Sequence, residues 1–150
     1  QQKRLVHNVM HSMFNTVAGK KIAVLGFAFK ADTGDTRESP AFEIVKSLAT
    51  ENADIFIHDP QALEQAKLDL ADFKSISYES DAYKATANAH CVIIVTDWQE
   101  YEQLDYKKIY DAMSKPAHIF DTRNQLSVKD LFEIGFNVHT TGQKPKIHKR

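Results

Sequence analysis

The stretch G-F-A-F-K-A-D-T-G-D-T-R-E-S-P, residues 26–40, carries an ammonium at Lys30 and a guanidinium at Arg37 on a polar segment that follows a short apolar run. Such a pair suits a phosphate-bearing ligand, with Lys30 as a mobile point charge and Arg37 as a bidentate fork. Phe29 adds an aromatic face for a base or ring. A third cation, Arg123, follows the apolar stretch Ala117 to Phe120 in the order D-T-R-N. The bland alternative is a solvated loop whose cations balance Asp32, Asp35 and Glu38, with Arg123 paired to Asp121 at a turn.

These side chains need elements to hold them. Ile22-Ala23-Val24-Leu25 is apolar without interruption, as expected of a parallel strand covered on both faces. Ser39-Pro40 opens a helix after the loop, Ser39 as the cap and Pro40 where its missing donor costs nothing. Strand, loop and helix N-terminus together make the usual anion-binding geometry of an open α/β sheet. The glycine-rich dinucleotide fingerprint is missing, because Gly26 is followed by Phe27, Ala28 and Phe29, so a pyrophosphate here would be held by side chains. Asp59 ends a second apolar run, Ile55-Phe56-Ile57, where a dinucleotide fold would hold a ribose; a turn cap before Pro60 is the preferred reading. Trp98 leaves the apolar run Cys91 to Val95, and packing is favoured over a lid on a ligand.

Alternation of the two periodicities continues along the chain. Helical spacing covers residues 3–18 through Leu5, Val9, Met13, Phe14 and Val17, and recurs through Ala41, Ile44, Val45 and Leu48. Residues 61–71 have helix-forming composition but poor periodicity, Ile76 to Tyr78 suits a minor strand, and short helices are expected at 82–88 and 106–113. Ser127 with Asp130 reads as a capping box for a helix ended by Gly135, and Phe136 to His139 as a last strand. From Gln143 the chain is basic and poor in apolar residues, which predicts a flexible tail over 143–150. The pattern predicts an α/β fold: a doubly wound, mainly parallel, Rossmann-like sheet with helices on both faces, preceded by an N-terminal helix.

Composition narrows the classes. The 150 residues carry 43% hydrophobic and 26% charged side chains with a net charge of −1, so no global field argues for nucleic acid or an anionic membrane. A single cysteine, Cys91, excludes an internal disulfide and fits a reducing, cytoplasmic setting. Cys91 lies inside an apolar strand pattern, where a thiol behaves as a small hydrophobe and not as a nucleophile. His7 and His11 have metal-binding spacing but lack a third ligand, so no metal site is expected. The chain opens at Gln1 directly in a helical pattern, as a piece cut from a longer polypeptide would.

The loop G-F-A-F-K-x-D-T-G-D-T-R-E-S-P resembles that of the UDP-sugar and GDP-mannose dehydrogenase family, and T-G-D-T-R-E-S looks like the form in animal UDP-glucose enzymes. Further pieces fall in the family's order: N-V-M-H-S-M-F-N-T-V at 8–17, I-H-D-P at 57–60, V-T-D-W at 95–98, L-D-Y at 104–106 and I-F-D-T-R-N at 119–124. The resemblance implies a C-terminal third of such an enzyme, with residues 1–18 ending a central connecting helix and 19–142 forming a UDP-sugar-binding domain. It implies oxidation of UDP-glucose to UDP-glucuronate with two NAD, the cofactor held mainly by an N-terminal domain of the same chain. Phe29, Lys30 and Arg123 would then contact UDP-glucose or a UDP-sugar inhibitor, and Arg37 would reach NAD. No catalytic residue matches within this stretch; the family's cysteine nucleophile lies elsewhere. Family members form dimers assembled into hexamers, which is the assembly implied here. Thr122 departs from the glycine common before the arginine and is expected to crowd the pocket beside Arg123. The competing readings are a stand-alone nucleotide-binding or assembly module and the same domain of an enzyme for another nucleotide sugar. A receiver-like module ranks below these, since Gly26-Phe27 stands where receivers need carboxylates.

Overall fold

The computed structural model describes residues 2–149. Six strands, β1 (Lys21–Leu25), β2 (Asp54–His58), β3 (Ile76–Tyr78), β4 (Cys91–Ile94), β5 (His118–Asp121) and β6 (Asn137–Thr140), form one sheet in the order β3-β2-β1-β4-β5-β6. Each neighbouring pair is parallel, so the C-terminal ends of all six share one edge. The chain order reverses between β1 and β4, the place where open α/β sheets usually present a crevice. The doubly wound sheet anticipated from the sequence is therefore the one observed.

Among the described residues six α-helices flank it: α1 (Gln2–Ser12), α2 (Pro40–Thr50), α3 (Leu63–Asp69), α4 (Ala82–Thr86), α5 (Tyr106–Ala112) and α6 (Val128–Ile134). Ile22, Val24, Ile55, Ile57, Cys91 and Ile93 face α1, α2 and α3, while Ala23, Leu25, Val92, Ile94 and Ile119 face α5 and α6. Both faces of β1 and β4 are thus buried, which is why their runs lack polar residues. Local caps follow the sequence rules: Ser39 accepts from Ala41 N at 3.2 Å, and Ser127 accepts from Asp130 N at 3.2 Å. Gly135 closes α6 with φ 136°.

Two expectations are corrected, and a third is explained. The first helix ends at Ser12 and not near residue 18, because Phe14 and Asn15 take positive φ and Asn15 N bonds back to Met10 O. That reversal turns Phe14 out of the apolar stripe to 66% exposure, while Val17 returns to the core. The poor periodicity of 61–71 has a cause in Leu68, which is 71% exposed on a seven-residue helix. The tail from 143 is tied down instead of loose. Lys146 forms an antiparallel bridge with Val138 of β6, His148 N donates to Asn137 Oδ1 at 2.7 Å, and the His148 ring stacks on Phe132. β6 is an edge strand with unpaired backbone groups, and the returning tail satisfies them.

One carboxylate ties the functional edge together. Asp59, just past β2, is 3% exposed; its Oδ2 accepts from Phe27 N at 2.7 Å, Ala28 N at 2.9 Å and Trp98 Nε1 at 3.2 Å. Its Oδ1 accepts from Gln61 N and Ala62 N, each at 2.8 Å. The turn-cap reading of Asp59 is right, and the cap also reaches the loops after β1 and β4. Farther along the sheet, buried His118 and His139 meet at 3.1 Å between Nδ1 and Nε2, and His139 stacks on Phe120 at 4.0 Å.

Asp59→Ala is expected to destabilise the chain by roughly 3–5 kcal/mol, since it strands several buried donors at once. Chemical denaturation of the variant checks this, and a loss under about 1 kcal/mol would contradict the hub role. Burial, with the neighbouring His118 adding to it, lowers the His139 pKa from 6.5 to about 4. The unfolded chain therefore binds more protons between those values, and stability complete above pH 6.5 falls as the pH drops toward about 4. His139→Phe should flatten the stability profile in that window, which denaturation at a series of pH values would show.

Candidate nucleotide-sugar site

Gly26 begins the loop between β1 and α2. Its N–H donates to His58 O at 2.7 Å, and a Cβ on it would lie 2.5 Å from Thr96 Cβ and 2.6 Å from Thr96 N. With φ 103° as well, the position accepts only glycine, and the close approach locks the β1 loop against the β4 loop. Thr96 Oγ1 completes the lock by donating to Ala28 O at 2.9 Å. Phe27, Ala28 and Trp98 are buried here, over the point where the strand order reverses. Trp98 is therefore packing, as the sequence favoured, and its carbonyl accepts from Gln125 Nε2 at 2.6 Å.

Beyond Ala28 the loop leaves the core. Phe29 N donates to Asp35 O at 2.6 Å, closing a small surface ring of chain, and Phe29 is 45% exposed. Asp35 holds Arg37 through three bonds, accepting from its N at 2.9 Å, Nε at 3.0 Å and Nη2 at 2.8 Å. The Arg37 side-chain hydrogen bond is the largest cause that lowers the Asp35 carboxyl to about 2. Arg37 is nevertheless 87% exposed, so this pair is a solvated one. Thr36 Oγ1 donates to Asp69 Oδ2 at 2.6 Å and anchors the far limb of the loop to α3. Lys30 is exposed and, among the described residues, takes no hydrogen-bond or ion-pair partner. The close ion pair on this loop belongs to Arg37, while the Lys30 charge acts on Asp35 from farther off.

Arg123 is positioned from both ends of the turn after β5. Asp121 is 1% exposed and accepts from Arg123 N at 3.0 Å, and from Gln125 N and Leu126 N at 2.8 Å each. The guanidinium pairs instead with Asp97 from the β4 loop, Nη2 to Oδ2 at 3.7 Å with both side chains 46% exposed. Thr122 turns its hydroxyl back to Ile94 O at 2.6 Å, so its polar group is spent on β4.

Arg123 lines a cleft of about 1140 Å³ that runs between α1 and the β5–β6 face of the sheet; Phe29, Lys30 and Arg37 do not line it. The loop cations and Arg123 share the C-terminal edge of the sheet. Cys91 is fully buried, and desolvation pushes its thiol far up, away from any nucleophilic role. His7 and His11 stack at 6.4 Å on α1, and no group of three or more metal-binding side chains occurs among the described residues. The His118–His139 pair and the reach of Asp59 escaped the sequence reading. Both depend on strand register, and the one available signal was the buried position of a polar residue in each apolar run.

The UDP binding domain of the UDP-glucose/GDP-mannose dehydrogenase family matches residues 23–128. UDP-glucose 6-dehydrogenase 3 of Oryza sativa subsp. japonica is 49% identical, across 95% of this chain and 34% of its own length. UDP-glucose 6-dehydrogenase 4 of Arabidopsis thaliana is 46% identical with the same coverage. This chain therefore spans about a third of the curated relatives it matches. A solved UDP-glucose dehydrogenase from Pyrobaculum islandicum superposes with a TM-score of 0.69 at 29% identity, covering 90% of this chain and 30% of that one. An NDP-N-acetyl-D-galactosaminuronic acid dehydrogenase from Methanosarcina mazei Go1 shares the fold, with a TM-score of 0.78 at 19% identity over 95% of this chain and 29% of that one. By the match over its parallel sheet and by this identity, the chain belongs to the UDP-glucose/GDP-mannose dehydrogenase family, with its UDP binding domain in residues 23–128.

Proposed function

We propose that the chain is the nucleotide-sugar-binding part of an NAD-dependent UDP-glucose 6-dehydrogenase, which oxidises UDP-glucose to UDP-glucuronate with two NAD. The observation that carries this reading is Lys30, an exposed ammonium without a close ion pair on a loop whose root is fixed by Gly26 and Asp59. A cation held ready on a rigid base meets a diphosphate without first breaking a pair of its own. Phe29, half exposed beside it, supplies an aromatic face to the same ligand. Arg123, held off Asp121 by the backbone bonds that occupy that carboxylate, is the second contact from this domain.

NAD supplies the hydride acceptor in this reaction. The residues at the β1 turn do not fit a dinucleotide, because buried Phe27 and Ala28 follow Gly26 and the reversal point is filled by Trp98. The cofactor is accordingly assigned to an N-terminal domain of the same protein, with exposed Arg37 as the residue that would reach it. No residue here acts as the covalent catalyst, Cys91 being enclosed in β4. UDP-sugar inhibitors would use the same contacts as the substrate. The full protein is further proposed to be a cytoplasmic homo-oligomer, a dimer or hexamer; no described helix is long and apolar enough to cross a membrane.

Lys30→Ala in the full enzyme should lower kcat/KM for UDP-glucose by about 1.5–3 kcal/mol, the usual value of a charge-assisted contact. Steady-state kinetics identical to wild type would remove Lys30 from the site. The 150-residue chain alone should bind UDP-glucose weakly in calorimetry, with affinity that falls as salt is added, and should form no NADH. Turnover by the purified chain, free of other dehydrogenases, would overturn the assignment.

A further inference from the structure

The turn that carries Arg123 is held from two strands at once. Thr122 N continues the ladder to β4 by donating to Ile94 O at 3.1 Å, and Thr122 Oγ1 donates to the same carbonyl at 2.6 Å. From the other side Thr141 Oγ1, just past β6, donates to Thr122 O at 3.2 Å. Asn124 follows with φ 53°, so the chain changes direction immediately after Arg123. What remains adjustable is the Arg123 side chain, a long group with much rotamer freedom to lose when a ligand orders it.

The end of β4 supplies two guides for that side chain. Ile94 closes the strand and accepts the Thr122 hydroxyl, and Asp97, three residues on, meets the Arg123 guanidinium at 3.7 Å. One segment thus sets both where the turn sits and which way its cation points. At 3.7 Å, with both side chains 46% exposed, the ion pair is a loose one, and a small slide of the turn along β4 would lose it. Asp121 is no substitute, since its two oxygens serve three backbone N–H groups of the turn. A β-branched side chain with its hydroxyl engaged has little χ1 freedom and resists that slide. The guanidinium has N–H donors beyond the one directed at Asp97, and these suit an outside acceptor.

We propose that Thr122 is a positioning residue for nucleotide-sugar binding: its hydroxyl ties the turn to the end of β4 and so aims Arg123 at the ligand. The role rests on the assignment of Arg123 to the nucleotide sugar made above. A cation already aimed binds more tightly than one that must be ordered as the ligand arrives.

The test is steady-state kinetics of the full enzyme at saturating NAD, with Thr122→Val as the variant that keeps the branched shape and loses the hydroxyl. Ile94 O retains the Thr122 N–H as a donor, so the fold is kept, and a melting curve checks it. Thr122→Val should raise KM for UDP-glucose about three- to tenfold with kcat held within about twofold, the pattern of lost binding that does not enter the chemical step. Thr122→Ser, which restores the hydroxyl, should return KM to the wild-type value. In an Arg123→Met background Thr122→Val should add nothing, since a residue that acts only through Arg123 then has nothing to aim. An equal further rise of KM in that background, or a wild-type KM in Thr122→Val while Arg123→Met raises it, would overturn the positioning role and leave Arg123 as a nucleotide-sugar contact. A wild-type KM in Arg123→Met would instead remove Arg123 from the site, and the role of Thr122 with it.

Discussion

A single buried carboxylate carries the geometry of the functional edge. Asp59 faces five donors from three loops: two after β1, two in its own turn and the indole of Trp98. A buried carboxylate is tolerated only when its lone pairs are filled, and each of these donors would itself be costly to bury unpaired. The requirement is mutual, so the loops after β1, β2 and β4 can pack together only in this arrangement. Gly26 against Thr96 is the steric half of the same constraint, because only hydrogen fits where the two loops touch.

That constraint explains how charge is distributed outside it. The loop root is apolar and buried through Ala28, exposure begins at Phe29 and charge at Lys30. Within the exposed part, Asp35 is two residues from Arg37 and captures it through main chain and side chain together. Lys30 makes no close pair there and adds its charge to the field at Asp35 from farther off. Arg123 follows a parallel logic at the neighbouring edge: Asp121 is consumed by its own turn, so the guanidinium turns to Asp97 across the β4 loop. Two cations thus stand at one edge of the sheet, and the glycines of a dinucleotide fingerprint are absent from the loop after β1.

The sheet is asymmetric in a way that produces the large cleft. α1, α2 and α3 cover β1, β2 and β3 on one face, whereas the β5–β6 end of that face looks onto α1, the start of α2 and the returning tail. Polar residues His118, Asn137 and His139 stand there in place of the aliphatic ones found at the sheet centre. Their burial is made tolerable by mutual bonds, His118 with His139 and Asn137 with the His148 backbone.

Much of this was legible in the residues themselves. Uninterrupted apolar runs announced β1 and β4, because strands buried on both faces need them. Ser39-Pro40, Ser127 with Asp130, and Gly135 announced helix ends, because capping acts within one turn of chain. The G-F-A-F-K loop carried the family resemblance, and the Asp35–Arg37 pair was open to sequence reading since its members are nearly adjacent. What tertiary structure alone decided involves partners far apart in sequence. Asp59 reaches Trp98, Arg123 chooses Asp97 over Asp121, His118 meets His139 through the β5–β6 register, and Lys146 closes on Val138. A residue's type limits what bonds it can make, but which partner lies within 3 Å or so is set by strand order and loop packing, and those are properties of the assembled sheet.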